Sequence, residues 1–249
     1  MPSGGSLAER LAKSLPDIPR WLEVRSLLLS GRCEVLGLEE EGPQPSFVAR
    51  ELGEGEDQMV YVVGRPSPEI IREATGRSRN GGMVMATLED TFHIEGALPG
   101  WKATRATLHL LGEAPNLPGL VEGEVEPLGA PELRASWIEE IPEDLRSFLE
   151  DAIVGAEAPA AAAWVGGRPV SFCVASDQTE GLWDISIDTL ESHRRRGHAA
   201  RCVSWMVDEM RRRGKESVWA AEETNTPSIR LAARLGFVPV DKLVLLRPS

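Results

Sequence analysis

Tyrosine is almost missing from this chain of 249 residues, which has Tyr61 alone beside five phenylalanines. Cysteine is scarce as well: Cys33, Cys173 and Cys202 are far apart, odd in number and never in C-x-x-C spacing. That pattern excludes a disulfide framework and offers no zinc-ligand set, so reduced thiols and no metal are expected. No run approaches the roughly 18 apolar residues that a membrane span needs. The opening MPSGGSLAERLAKSL has no apolar core of a secretory signal, so the expected location is the cytoplasm, with no membrane partner. Positive charge is in deficit, with 27 Lys and Arg against 39 Asp and Glu, a formal net charge of -12 and a pI near 4.9. A general nucleic-acid surface would need the opposite balance, because phosphates are neutralised by Lys and Arg. A local basic pocket remains compatible with it.

What is present is an ordinary globular composition, 42% hydrophobic and 27% charged, in a chain long enough for two small domains. Ser6 can cap a helix over SLAERLAKSL, and a second helical pattern through IPRWLEVRSLLLSG stops at Gly31. CEVLGLEE, SFVARE and MVYVVG read as antiparallel strands, followed by a helix in GRPSPEIIREATGR with Ser67 as cap, Pro68 in the first turn and Gly76 as the stop. GGMVMATLED and KATRATLHLL are two more strands, and GEAPNLPGLVEGEVEPLG is dense enough in Pro and Gly to serve as a linker or crossover. A second region then repeats the plan. Strand EVEP and the helical stretch APELRASWIEEIPEDLRSFLEDAIVG, counted as two helices, precede strands APAAAAWVGG, PVSFCVASD and WDISIDTL, helix HAARCVSWMVDEMRRRG, strand ESVWAAE, helix PSIRLAARLG and strand FVPVDKLVLL. The fold class expected is mixed α/β with a mixed sheet, divided into residues 1–118 and 124–249 and pseudo-duplicated in architecture.

Two arginine triplets occur in this acidic chain, and helix polarity separates them. Ala199, Val203, Met206 and Met210 form one helical face, which puts Arg211-Arg212-Arg213 in the last turn, before Gly214, where cations complement the macrodipole. Arg194-Arg195-Arg196 stands instead before the N-terminus, where unpaired N–H groups already make a positive pole. An anion resolves that conflict. A strand, a glycine-bearing loop and a helix opening on small residues describe a phosphate cradle, the alternative being a solvated basic loop. Walker A spacing and a G-x-G-x-x-G after a strand are both missing.

Arg194-x-x-Gly197-x-Ala199 resembles the R/Q-x-x-G-x-G/A signature of the GNAT superfamily of acyl-CoA-dependent N-acetyltransferases. Asn225-Thr-Pro-Ser228, followed by Leu235-Gly236-Phe237, resembles the family's N-x-x-S/A and L-G-F elements at the right distance, and ISIDTLESH resembles its fourth strand. The resemblance covers about residues 124–249, and the first region is loosely similar to the degenerate N-terminal half of two-domain relatives, expected to shape the substrate or make dimer contacts. It implies acetyl-CoA as co-substrate, with pantetheine pairing along Ile187, Asp188 and Thr189. The pyrophosphate would lie on Arg194, Arg195, Arg196, Gly197, His198, Ala199 and Ala200, with Asn225 and Ser228 nearby. The implied reaction moves an acetyl or short acyl group to a primary amine of a small molecule, peptide or protein.

The family's frequent acid, a tyrosine, corresponds here to Ala232, and its frequent strand glutamate corresponds to Ala220. Carboxylates available as proton acceptors are Asp184, Asp188 and Glu222, with Glu223 beside the last. Two other readings stay open at this point: an acyl-CoA-binding regulator without catalysis, motivated by those two alanines, and a nucleic-acid-binding module using both triplets. A homodimer is compatible with the sequence. The acidic clusters Glu39-Glu40-Glu41 and Glu54-Gly55-Glu56-Asp57 are solvated loops or help attract an amine.

Overall fold

The computed structural model describes residues 5–40, 45–53, 58–134, 138 and 140–249. Glu41 and the cluster from Glu54 to Asp57 lie outside them. The chain forms two compact units. One comprises Met1–His109, Ala220–Thr226 and Pro239–Ser249, and the other Leu110–Trp219 and Pro227–Val238.

In the first unit, helices α1 (Leu7–Ser14) and α2 (Leu22–Ser30) precede strands β1 (Cys33–Glu39), β2 (Ser46–Glu51) and β3 (Met59–Val63). The start of α1 is closed on itself: the Ser6 hydroxyl accepts from the Glu9 N–H while the Glu9 carboxylate accepts from the Ser6 N–H. Gly31 ends α2 at φ 68°, a left-handed conformation suited to glycine. Strands β1, β2 and β3 pair antiparallel; helix α3 (Pro68–Arg77) then crosses to β4 (Met83–Thr87), which is parallel to β3. Gly76 lies inside α3, because a single glycine weakens a helix without ending it. A short helix α4 (Thr91–Ala97), not anticipated from TFHIEGA, leads to β5 (Lys102–Leu111). The last strand, β11 (Phe237–Arg247), runs antiparallel to β4 through Leu243–Leu246. Strand alternation divides the core: Phe47 and Ala49 join Leu11, Leu15 and Leu28 on one face, while Val48 and Val60 join Ile71, Ala74 and Ile94 on the other.

In the second unit, β6 (Val125–Pro127), β7 (Ala160–Val165), β8 (Arg168–Gln178) and β9 (Leu182–Thr189) are neighbours in order, all antiparallel from β6 to β9. Gly166 and Gly167, at φ 59° and 78°, make the tight turn between β7 and β8. Helix α6 (His198–Arg212) then crosses to β10 (Glu216–Glu222), parallel to β9, and α7 (Thr226–Leu235) follows. Of the two helices expected between β6 and β7, the second forms as an α-helix and the first is represented, among the described residues, by 3₁₀ structure. A 3₁₀ turn at Glu132–Arg134 comes first, and α5 (Glu143–Leu149) begins only after Pro142 and continues as a π-helical turn, Glu150–Gly155. Proline has no N–H to donate and pushes Ile141 out of the helical region, so it begins a helix and does not continue one. Helix α5 and its extension cover one face of this sheet, with Leu145, Leu149 and Ile153 on Phe172 and Val174. Helix α6 covers the other: Val203, Met206 and Met210 are fully buried, and Ala199 only partly.

Each unit therefore contains a run of three antiparallel strands, β1–β3 or β7–β9, a crossover helix and a strand parallel to the last of the three, as the repeated plan of the sequence suggests; β6 is an additional antiparallel strand in the second unit.

Candidate active site

The two crossovers differ where chemistry would need them to differ. Between β3 and β4 the parallel register runs from Met59 opposite Met83 to Val62 opposite Ala86, nearly the whole of β3. Between β9 and β10 it runs only from Leu182 opposite Glu216 to Asp184 opposite Val218. Ile185 to Thr189 remain paired with β8. Leu190 N–H donates to the Val170 carbonyl at 2.9 Å, which fixes the phase of this antiparallel ladder. Asp188 and Ser186 thus turn their backbone groups toward β8, while Ile185, Ile187 and Thr189 turn theirs away from it. At Thr189 those groups have local partners: its N–H donates to Asp188 Oδ1 at 2.5 Å and its carbonyl accepts from Arg194 Nε at 3.0 Å. Ile187 is the residue of this edge best placed to pair with an extended ligand strand.

Beyond the edge lies the loop that enters α6. Arg195 sits at φ 63° and Gly197 at φ 87°, two left-handed residues that curl the backbone ahead of the helix. A methyl group on Gly197 would meet nothing nearer than Arg201 Nη1 at 3.6 Å, so glycine is needed there for its backbone angle and the space beside it is open. No side chain caps α6, in contrast to the closed cap of α1. The exposed Arg194, Arg195 and Arg196 surround this uncapped positive pole, and Arg201 adds a fourth guanidinium from the first turn. Burial lowers the pKa of His198, and the charges of Arg201, His193 and Arg196 lower it further. The loop is thus an electropositive hollow of N–H donors, the arrangement that anions occupy. The second triplet does other work. Arg212 and Arg213 both pair with Glu209, at 2.8 and 2.7 Å. Gly214 at φ 77° closes the helix with hydrogen bonds from its own N–H to Arg211 and from Lys215 to Met210.

The face of β9 that meets α5 is polar at its edge. Asp184, Ser186 and Asp188 share it by alternation, and Ser176, on the same face as Phe172 and Val174 by the alternation of β8, lies 2.9 Å from the Ser186 hydroxyl and 3.5 Å from Asp184 Oδ2. Ser176 and Ser186 were not singled out from sequence, although the alternation D-I-S-I-D already puts three polar side chains on one face. The remaining carboxylate candidates belong to the first unit. Glu222 is gripped by Arg247, with Nη2 at 2.6 Å from Oε1, and accepts from the Thr104 hydroxyl at 3.2 Å. Glu223 is held below the usual carboxylate range by Lys242 at 2.6 Å. Asn225, exposed at the end of the β10 turn, donates its N–H to the Glu222 carbonyl at 2.8 Å. The Ser228 hydroxyl accepts from Trp219 Nε1 at 2.9 Å. Leu235 and Phe237 are core, the latter edge-on to Trp219 at 5.2 Å, and a side chain on Gly236 would strike Pro115 at 2.9 Å.

An open parallel edge on β9 and a bare helix pole behind an arginine loop agree with one family. The acetyltransferase (GNAT) family model matches residues 124–237. Those residues are a GNAT acetyltransferase domain. The protein is accordingly an acyltransferase of the class that draws on acyl-CoA. No curated protein matches the chain significantly. Among solved structures, the GCN5-related N-acetyltransferase-like protein from Streptococcus suis 89/1591 is similar at 16% identity and a TM-score of 0.61, over 96% of this chain and 95% of that one. The GCN5-related N-acetyltransferase from Kribbella flavida is similar at 17% and 0.60, over 99% and 97%. A tandem GNAT protein from the clavulanic acid biosynthesis pathway is similar at 14% and 0.58, over 96% and 91%. At these identities the likeness concerns the fold, and it extends over both units.

In the GNAT domain the thiols are silent. Burial pushes Cys202 up to about 12 and Cys173 well above its ordinary value. Among the described residues no group of three or more His, Cys, Asp and Glu could hold a metal ion, and no helix is long and apolar enough to cross a membrane.

Proposed function

We propose that the protein is an N-acetyltransferase that moves an acetyl or other short acyl group from acetyl-CoA to a primary amine by direct transfer in a ternary complex. The observation that carries this reading is the pairing of an open β9 edge with the uncapped, arginine-ringed start of α6. The backbone of Ile187 would pair with the pantetheine arm. The N–H groups from Arg195 to Ala200 would receive the pyrophosphate, with Arg195 and Arg196 contributing charge. Arg194 acts mainly as a positioning residue, tying the loop to the Thr189 carbonyl. Acetyl-CoA supplies an activated thioester. The chain's part is to hold it, orient the amine and accept a proton.

Asp188, with the Ser176–Ser186 pair and Asp184 on the same face of β9, is the preferred proton acceptor, directly or through water. The amine nitrogen forms the new bond to the acyl carbon as the carbon–sulfur bond breaks, and the proton lost by nitrogen passes to the carboxylate. Ala232 is buried where the family often has its tyrosine acid, so the departing thiolate takes its proton from water or from the acceptor face. Proximity and orientation can carry much of the acceleration in such a site. The raised pKa values of Cys173 and Cys202 support direct transfer, because a protonated, buried thiol is a poor acyl carrier. The first unit, whose crossover runs through Gly64-Arg65-Pro66-Ser67-Pro68 with Arg65 tied to Asp90 at 2.9 Å, lacks a comparable cradle, and we assign it to the acceptor. With its cysteines free, we assign the protein to the cytoplasm.

Calorimetry with coenzyme A tests the cradle. Arg196→Ala should weaken binding about tenfold, the equivalent of roughly 1.4 kcal/mol, while Arg212→Ala should leave it unchanged. Absence of any heat or thermal shift with the unaltered protein would sink the proposal.

A further inference from the structure

Within the second unit, the segment that leads into β6 is fastened to the first half of α6 at two points about one helical turn apart. The buried Ser204 donates its hydroxyl to the Pro118 carbonyl at 2.8 Å, and Arg201 Nε lies 3.1 Å from Glu124 Oε2. Residues three apart share a helix face, so both contacts come from one side of α6. The backbone of Glu124 is pinned on either side of its Cα: its N–H donates to the Val121 carbonyl at 3.1 Å and its carbonyl accepts from the Trp164 N–H at 3.0 Å. A fixed piece of chain thus carries the carboxylate. With Nε drawn to Glu124, the far end of the guanidinium lies beside the loop, where a methyl group on Gly197 would meet Arg201 Nη1 first. Both groups also act on His198, Arg201 lowering its pKa and Glu124 raising it. A carboxylate so near an anion site opposes an anionic ligand unless it serves the site in another way. The side chains of Arg201 and Glu124 are 32% and 41% exposed, and an ion pair in that setting contributes little to folding.

We infer that Glu124 is a positioning residue for coenzyme A: it holds the Arg201 guanidinium by its Nε side, with Nη1 beside the Gly197 hollow, and so makes Arg201 a further phosphate ligand from the first turn of α6. The inference rests on the coenzyme A reading above. An arginine side chain has many rotamers to lose when it meets a phosphate, and one already held loses fewer. The N–H donors of the terminal nitrogens remain for the phosphate oxygens.

The sign of one substitution decides the matter. Charge alone predicts that Glu124→Ala strengthens coenzyme A binding, because a carboxylate near the phosphates is removed, whereas positioning predicts that it weakens binding. In calorimetry on the full chain, Glu124→Ala and Arg201→Ala should each weaken coenzyme A binding about fivefold, as coupled neighbours do. The double variant should bind no more weakly than Arg201→Ala. Glu124→Gln, whose amide oxygen still meets Nε without the negative charge, should bind at least as tightly as the unaltered protein. Glu124→Ala binding as tightly as the unaltered protein or more so, or costing the same with and without Arg201, would overturn the inference; the second result is what a purely structural strap gives. Inorganic pyrophosphate titrated into the same proteins separates this inference from the reading beneath it. If pyrophosphate follows the pattern where coenzyme A does not bind, Glu124 keeps its role and the coenzyme A reading falls. A flat pattern with coenzyme A bound leaves that reading standing and removes Glu124 from it, and binding of neither anion overturns both.

Discussion

At the scale of the residue, His198 reports on the loop it belongs to. Its pKa lies below the ordinary histidine value because burial and the neighbouring cations oppose a further positive charge. A phosphate among those cations offsets their share of the shift and attracts the protonated ring, so coenzyme A should raise the His198 pKa, visible as a shift of its imidazole titration by NMR. The sign for affinity follows by linkage: if binding raises the pKa, binding takes up protons, and coenzyme A should bind more tightly as pH falls from about 7 to about 6. For the free protein the sign is the reverse. A depressed folded-state pKa favours folding above the unfolded value and loses that contribution as pH falls through the folded one. A His198 titration unmoved by saturating coenzyme A would place the anion elsewhere.

At the scale of the element, β9 combines three tasks: partner of β8, edge for a ligand and carrier of carboxylates. Asp188 serves two of them, since it caps the Thr189 N–H and is the preferred proton acceptor. Asp188→Asn separates these, because the amide oxygen can still accept from Thr189 while losing basicity. The kcat should fall about 10²-fold or more, with coenzyme A affinity intact. A fall in affinity with kcat preserved would make Asp188 a structural cap. Sequence went far at this scale. The ends of α1 and α2, the Gly166-Gly167 turn and the α6 face were all legible, because caps, glycine angles and periodicity are local. The pair of helical segments between β6 and β7 was legible too, although the first forms as a 3₁₀ turn and not as an α-helix. What local pattern cannot contain is where a register stops. The early end of the β9–β10 ladder depends on partners far along the chain, and the β8–β9 register that brings Ser176 beside Ser186 is equally non-local. The loop arginines were found through helix polarity, whereas the grip of Arg247 on Glu222 needed the fold.

At the scale of the whole molecule, charge acts on the two reactants in opposite directions. The chain carries a formal -12, and a cationic amine approaches it down a favourable potential while a polyanionic coenzyme A approaches against one. Only within a few ångströms of the loop do the arginines outweigh the net field, because salt screens a distant charge more than a contact; the Debye length is about 10 Å at 0.1 M and about 3 Å at 1 M. Raising salt from about 0.05 to about 0.5 M at constant pH should therefore lower kcat/KM for a cationic amine about threefold. It should speed association of coenzyme A while also speeding its release, as the long-range repulsion and the local attraction are both weakened. Stopped-flow binding separates the two rates. An amine kcat/KM indifferent to salt would mean that the acid excess lies where the acceptor does not pass, and the net charge of this protein would then serve solubility and not substrate capture.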